Sequence, residues 1–254
     1  MSLIVYADFS SPECYVASRR ADALAGEVEV DWRAVESRAD LPVGGVPLSG
    51  EDRRALVARF STLQASLLDG ELLPWRVPAV APKTEAAVSA WSELCGSRVA
   101  GEARRLLFEL YWREGVDIGN PNVLRTPLTG PVLRSGVDAD PLREAGYAVA
   151  VNRGPITGGA YRRVRAWRAE WLALDRPDLP VLLVDGATLT GLDAVRRLGK
   201  ELVYRNVRIE PPVGDPRRYP RVDGRPPESW VSQIGGRWGN LYRLPDARAL
   251  RSDA

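Results

Sequence analysis

The chain has 254 residues, 45% of them hydrophobic and 27% charged, enough to bury a substantial core as one domain with an elaboration or as two domains sharing an interface. Its formal net charge is +2, and its arginines (Arg19-Arg20, Arg53-Arg54, Arg104-Arg105 and Arg162-Arg163 among them) are scattered among acids, a distribution that argues against a nucleic-acid binder. Histidine is absent, which removes the usual general base of Ser-His-Asp and Cys-His catalysis and the usual ligand of zinc and non-haem iron, so no metal site is expected.

The chain opens on a short apolar strand, Leu3-Ile4-Val5-Tyr6-Ala7, which feeds through Asp8-Phe9-Ser10-Ser11-Pro12-Glu13-Cys14-Tyr15 into a helix. This start lacks the basic-then-apolar pattern of a secretory signal, and no stretch of about 18 apolar residues occurs to span a bilayer; a cytoplasmic protein with no membrane partner is expected. A strand-to-helix junction suits sulfur chemistry, because the first turn of a helix leaves backbone N–H groups unpaired and carries partial positive charge that stabilises a thiolate. Where a disulfide enzyme offers Cys-x-x-Cys, this chain offers Ser11-Pro12-Glu13-Cys14, one sulfur short. Beyond the junction, Cys14, Ala17, Ala21, Leu24 and Ala25 fall at helical spacing and Gly26 ends the run. The strand Val28-Glu29-Val30-Asp31-Trp32 follows and completes a βαβ unit with parallel strands.

From about Glu51 to Trp171 the pattern turns helical, with segments at 51–68, 84–95, 98–114, a short one near 121–125, 140–150 and 158–174, punctuated by prolines that include Pro127 and Pro131. No strand of comparable length interrupts them, so residues 51–174 read as an inserted helical subdomain. Ser49 before Glu51-Asp52 and Asp140 before Pro141 mark helix starts. Cys95 lies in an apolar helical pattern as a small buried hydrophobe, and two cysteines alone supply neither a structural zinc site nor a strong disulfide signal. The β pattern returns at Leu179-Pro180-Val181-Leu182-Leu183-Val184, turns at Asp185-Gly186, runs through Ala187-Thr188-Leu189, and gives way to a helix from Gly191 to about Val203. The order βαβ, helical insert, ββα is that of an α/β thioredoxin fold, formed here by residues 1–50 and 175–203. The segment 204–254, irregular but carrying Trp230, Trp238, Leu241 and Tyr242, is expected to pack on the body or on a partner subunit.

Three motifs give this order a family resemblance over roughly residues 3–203: the Asp8–Ala17 junction, Tyr111-Trp112-Arg113-Glu114-Gly115-Val116-Asp117-Ile118-Gly119-Asn120-Pro121, and Leu179–Gly186 followed by Gly191-Leu192-Asp193. Together they resemble the DsbA-like branch of the thioredoxin superfamily, and within it the helical-insert members: FrnE-type oxidoreductases, 2-hydroxychromene-2-carboxylate isomerases and kappa-class glutathione transferases. The resemblance implies that Ser11 stands where dithiol relatives carry the exposed nucleophilic cysteine and Cys14 where they carry the buried resolving one. It implies a cis bond at Leu179–Pro180, facing the active-site turn, and an X-Pro bond adopts cis at little cost. It also implies glutathione or mycothiol as cofactor, bound at Pro12, Leu179, Pro180 and Asp193, with the Ser11 hydroxyl donating to the thiol sulfur, the Leu179 backbone and Pro180 holding its cysteinyl part, and Asp193 taking its amino end. A homodimer is implied by the kappa-type relatives.

Each of these residues also has a purely structural reading. Ser11-Pro12-Glu13 is a well-made helix start, worth about 1 kcal/mol for the cap. Asp193 suits the first turn of the last helix, Trp112, Trp91 and Trp75 read as core packing in preference to a substrate platform, and Arg33 and Arg38, placed after the second strand where an acidic substrate could meet them, read as solvated surface charges. Glu13 would oppose a thiolate beside it. The leading functional reading is an enzyme that uses a bound thiol to isomerise or conjugate a small-molecule electrophile. The alternatives are a single-cysteine oxidoreductase acting through Cys14, since a dithiol cycle needs two sulfurs, and a degenerate, non-catalytic thioredoxin-like module.

Overall fold

The computed structural model describes residues 2–73, 77–136, 140–207 and 209. Trp75 and nearly all of the 204–254 extension, with Trp230, Trp238, Leu241 and Tyr242, lie outside the described residues. The fold is built on a four-stranded mixed sheet in the order β2 (Glu29–Ala34), β1 (Ser2–Ala7), β5 (Val181–Val184), β6 (Ala187–Thr190). β1 pairs parallel with β2, Val5 opposite Trp32, and antiparallel with β5, Val5 opposite Leu182. β1 is thus paired on both edges, and its Leu3, Val5, Tyr6 and Ala7 are all buried.

Helix α1 (Pro12–Ala23) crosses from β1 to β2 and packs against the last helix, α8 (Gly191–Tyr204). Between β2 and β5 lie α2 (Gly50–Gln64), α3 (Glu85–Leu94), α4 (Ala100–Trp112), α5 (Pro121–Arg134), α6 (Pro141–Glu144) and α7 (Gly158–Ala173). These helices share one hydrophobic core with the sheet: Phe108 of α4 stacks on Phe9 at 4.9 Å and edge-on to Trp32 at 6.1 Å. Among the described residues no helix is long and apolar enough to cross a membrane.

Three elements differ from the sequence expectation. The short helix near 121–125 continues to Arg134 with Pro127 and Pro131 inside it. Each proline removes a backbone donor at a cost of about 3 kcal/mol, but Leu124, Leu128 and Val132 form a fully buried stripe, each side chain worth about 1.5–3 kcal/mol. The helix at 140–150 stops after one turn, where Gly146 takes φ +83° and the Tyr147 N–H closes back on the Leu142 carbonyl at 2.9 Å. Between β2 and α3 a two-residue ladder, β3 (Val46–Pro47) against β4 (Val80–Ala81), was too short to show as a pattern. Gly45 permits it: φ is +69°, and a Cβ there would strike the Ala81 carbonyl.

Two of the arginines are buried braces. Arg20 of α1 pairs with Glu71 at 2.7 Å and donates to the carbonyls of Val195 at 2.6 Å and Ser66 at 2.8 Å, locking α1 to α8 and to the end of α2. Arg143 pairs with Glu93 at 2.9 Å, and the same carboxylate accepts the Ile156 and Thr157 N–H groups at 2.7 Å.

Candidate active site

The junction after β1 is organised by Asp8, which is almost fully buried. Its Oδ1 accepts the backbone N–H and the hydroxyl of Ser10, both at 2.8 Å, an Asx-type turn that bends the chain toward α1. Its Oδ2 accepts the Ser37 N–H and hydroxyl, both at 2.7 Å, and the Thr84 hydroxyl at 3.1 Å, tying the loop after β2 and the start of α3 to the same point. From the other side, Trp112 Nε1 donates to the Phe9 carbonyl at 3.0 Å. Ser11 is thereby fixed as the N-cap of α1 in extended geometry, its Oγ accepting from the Cys14 N–H at 3.4 Å, with Pro12 at the first helical position.

Cys14 is fully buried. Burial pushes its thiol far above the ordinary range; the nearby Ser11 side chain and the Asp8 backbone oppose the rise, while the Asp8 and Glu13 charges add to it. An unreachable thiol that stays protonated is a poor nucleophile, which weighs against the oxidoreductase alternative. Cys95, at the end of α3, is half-buried rather than core, and burial raises its thiol as well.

The opposite wall comes from the chain entering β5. The Leu179–Pro180 peptide is cis, and the Gly191 N–H bonds to the carbonyls of Pro180 at 2.9 Å and Asp178 at 3.1 Å, anchoring either side of Leu179. The main-chain N–H and C=O of Leu179 have no partner among the described residues. Between Leu179 and Ser11 lies an open cleft of about 620 Å³. Leu48, Leu56, Tyr111, Trp112 and Trp171 give it an apolar side, while Ser10, Ser37, Arg38, Asp52 and Arg176 supply polar atoms. Tyr111 donates to the Val80 carbonyl at 3.1 Å, and burial, with the Asp8 charge adding, raises its phenol.

The structure brings Ser11 and Leu179 to one cleft, with Pro12 and Pro180 buried directly behind them. It does not bring Asp193 there: that side chain is 71% exposed on the first turn of α8, paired with Arg196 at 3.1 Å, one residue past the cleft-lining Leu192. Trp112 and Trp91 are buried as expected, although Trp112 also floors the cleft. Arg33 is not a solvated surface charge. It bonds Asp31 at 2.6 Å, the Tyr6 hydroxyl at 2.9 Å and Glu170 at 2.6 Å, fastening β1 and β2 to α7. Arg38 is exposed, but it lines the cleft and its guanidinium has no hydrogen-bond or ion-pair partner among the described residues.

The sequence model of the DSBA-like thioredoxin domain matches residues 2–152 of this chain. The chain belongs to that family. Solved structures share its fold: a 2-hydroxychromene-2-carboxylate isomerase (18% identity, TM-score 0.53, 81% of this chain and 96% of that one) and a "probable DsbA oxidoreductase" from Streptomyces coelicolor (19%, 0.57, 80% and 89%). A third is the cytosolic disulfide reductase DsbM of Pseudomonas aeruginosa with GSH (15%, 0.53, 81% and 98%). No curated protein matches by sequence. At these identities the likeness establishes the DsbA-like fold.

Within this DsbA-like frame two features had no sequence signal that singled them out. Asp8 carries its role in its position at the end of β1, but the loop and helix it ties together come from residues 29 and 76 positions further on. Arg59, on α2, reaches across 46 residues of sequence to pair with Glu13, a contact that no local spacing announces.

Proposed function

We propose that this protein is a DsbA-like enzyme that binds a small thiol, glutathione or mycothiol, and uses it to isomerise or conjugate an electrophilic small molecule, with Ser11 in the place of the nucleophilic cysteine. The observation that carries the reading is the open cleft between the Ser11 cap and the unpartnered main chain of Leu179, in a chain whose remaining site thiol is sealed. A degenerate module would have that cleft filled by its own side chains.

The residues present fit such a thiol. When bound, the thiol supplies the nucleophilic sulfur that adds reversibly to an electrophilic carbon. Ser11 offers its hydroxyl and the first turn of α1 its partial positive charge to an anionic sulfur, which needs no histidine. Leu179 offers one N–H and one C=O, the pair that a peptide-like cysteinyl group requires. Asp193 lies outside the cleft, one residue past Leu192, and would take an ammonium group only by exchanging its Arg196 partner. Leu56, Tyr111 and Trp112 present an apolar wall that orients an unsaturated or aromatic substrate and limits water. A reducing cytoplasm would keep either thiol in its working form.

Isothermal calorimetry with glutathione and with mycothiol tests the reading. Binding of one of them, weakened by Ser11→Ala, is the expected result. Heat from neither, together with thiol-dependent activity unchanged in Ser11→Ala, would sink it.

A further inference from the structure

Glu13 is the residue that sits badly with an anionic sulfur at this turn, since its Oε2 accepts the Ser11 hydroxyl at 2.9 Å. A carboxylate one hydrogen bond from the capping hydroxyl repels negative charge at the same place. The structure answers this charge. Arg59 lays a fork across both Glu13 oxygens, Nε to Oε1 at 3.0 Å and Nη2 to Oε2. The Arg59 side chain is 49% exposed, so the pair adds little to the stability of the fold. All three residues line the cleft.

We propose that Arg59 is a positioning residue of this site: its fork on Glu13 cancels the carboxylate in contact with Ser11 and so lets the turn hold an anionic sulfur. The inference rests on the thiol-binding reading above and adds the residue that makes it electrostatically feasible. It also accounts for how Ser11 can serve the sulfur at all. A hydroxyl has one proton, and here it points to Glu13. Rotation about Cβ–Oγ redirects that proton to the sulfur, and Glu13, still held by the two Arg59 bonds, is not left unpaired. No bond is made or broken in this step.

The other charged or titratable groups around the turn leave Glu13 to Arg59. Asp8, beneath the turn, is satisfied by Ser10, Ser37 and Thr84, and Asp52 is engaged with the Ser49 cap of α2. Tyr111 on α4 bonds to Val80, while Arg38, Arg176 and Asp178 are exposed at the cleft mouth.

The test places a sulfur at the turn directly. In the full chain carrying Cys14→Ala, the substitution Ser11→Cys supplies a thiol whose ionisation is read from far-ultraviolet thiolate absorbance against pH, with Cys95 common to every variant. Adding Arg59→Ala is expected to raise the midpoint by about one pH unit, a tenfold loss of thiolate at fixed pH, and Arg59→Lys, which keeps the charge without the fork, to fall between. Adding Glu13→Gln is expected to lower the midpoint and to shrink the effect of Arg59→Ala. A midpoint that Arg59→Ala leaves in place overturns the inference, whether or not either thiol binds. Failure of both thiols to bind in calorimetry counts against the thiol-binding reading alone, because the titration judges Arg59 without a ligand.

Discussion

Residue by residue, the site is a division of labour between two positions three apart. Ser11 caps α1 and faces the cleft; Cys14 fills the core behind it. Ser11→Ala should therefore cost about 1 kcal/mol in urea unfolding through the lost cap, besides its effect on thiol binding. Cys14 predicts a pH dependence. Its folded-state pKa is raised above the unfolded value, so the folded chain holds the proton where the unfolded chain releases it. That contribution is complete below the unfolded thiol pKa of about 8.5 and is lost above it, with a slope of up to about 1.4 kcal/mol per pH unit. Unfolding curves collected from neutral to alkaline pH should show the parent chain losing stability faster than Cys14→Ala; parallel curves would mean that the thiol is not sealed.

For the elements, tertiary packing overrides local signals wherever the sequence and the structure part. Strands β1, β2 and β5, the capped helices α1 and α2 and the final α8 were legible because each carries its own period, cap or turn. The second half of α5 was not, because two prolines argue locally against a helix that a buried stripe sustains. Nor was the β3–β4 ladder, whose two-residue strands hold by pairing across 32 intervening residues. Gly45→Ala tests that ladder: left-handed backbone alone costs about 1–2 kcal/mol, and the clash with Ala81 should loosen the cleft rim that Leu48 and Pro82 form, lowering both the melting temperature and thiol affinity. Glu71→Ala tests the brace between α1 and α8. It strands a buried guanidinium and should cost about 3 kcal/mol or more by thermal melt, whereas Arg20→Met with Glu71→Leu should cost far less.

As a whole molecule, the chain folds its helices and its sheet around one core, with Phe108 and Trp112 of α4 seated against the β1–α1 junction. Far-ultraviolet circular dichroism and tryptophan fluorescence should accordingly report a single coincident unfolding transition, and two separated transitions would show that the helical region melts on its own. The site belongs to this same scale. Its two walls, at Ser11 and at Leu179–Pro180, were readable as motifs because each is a local turn. The Asp8 tether and the Glu13–Arg59 fork were not, since they exist only once distant segments are brought together.

The sealed Cys14 carries one more consequence, for hydrogen peroxide. Peroxide attacks thiolates, and the first product on that ladder, a sulfenic acid, requires an accessible ionised sulfur. A serine at the exposed position offers nothing to attack, and the sulfur behind it is neither ionised nor within reach. Peptide mass maps after peroxide treatment should therefore show Cys14 unmodified while the chain remains folded.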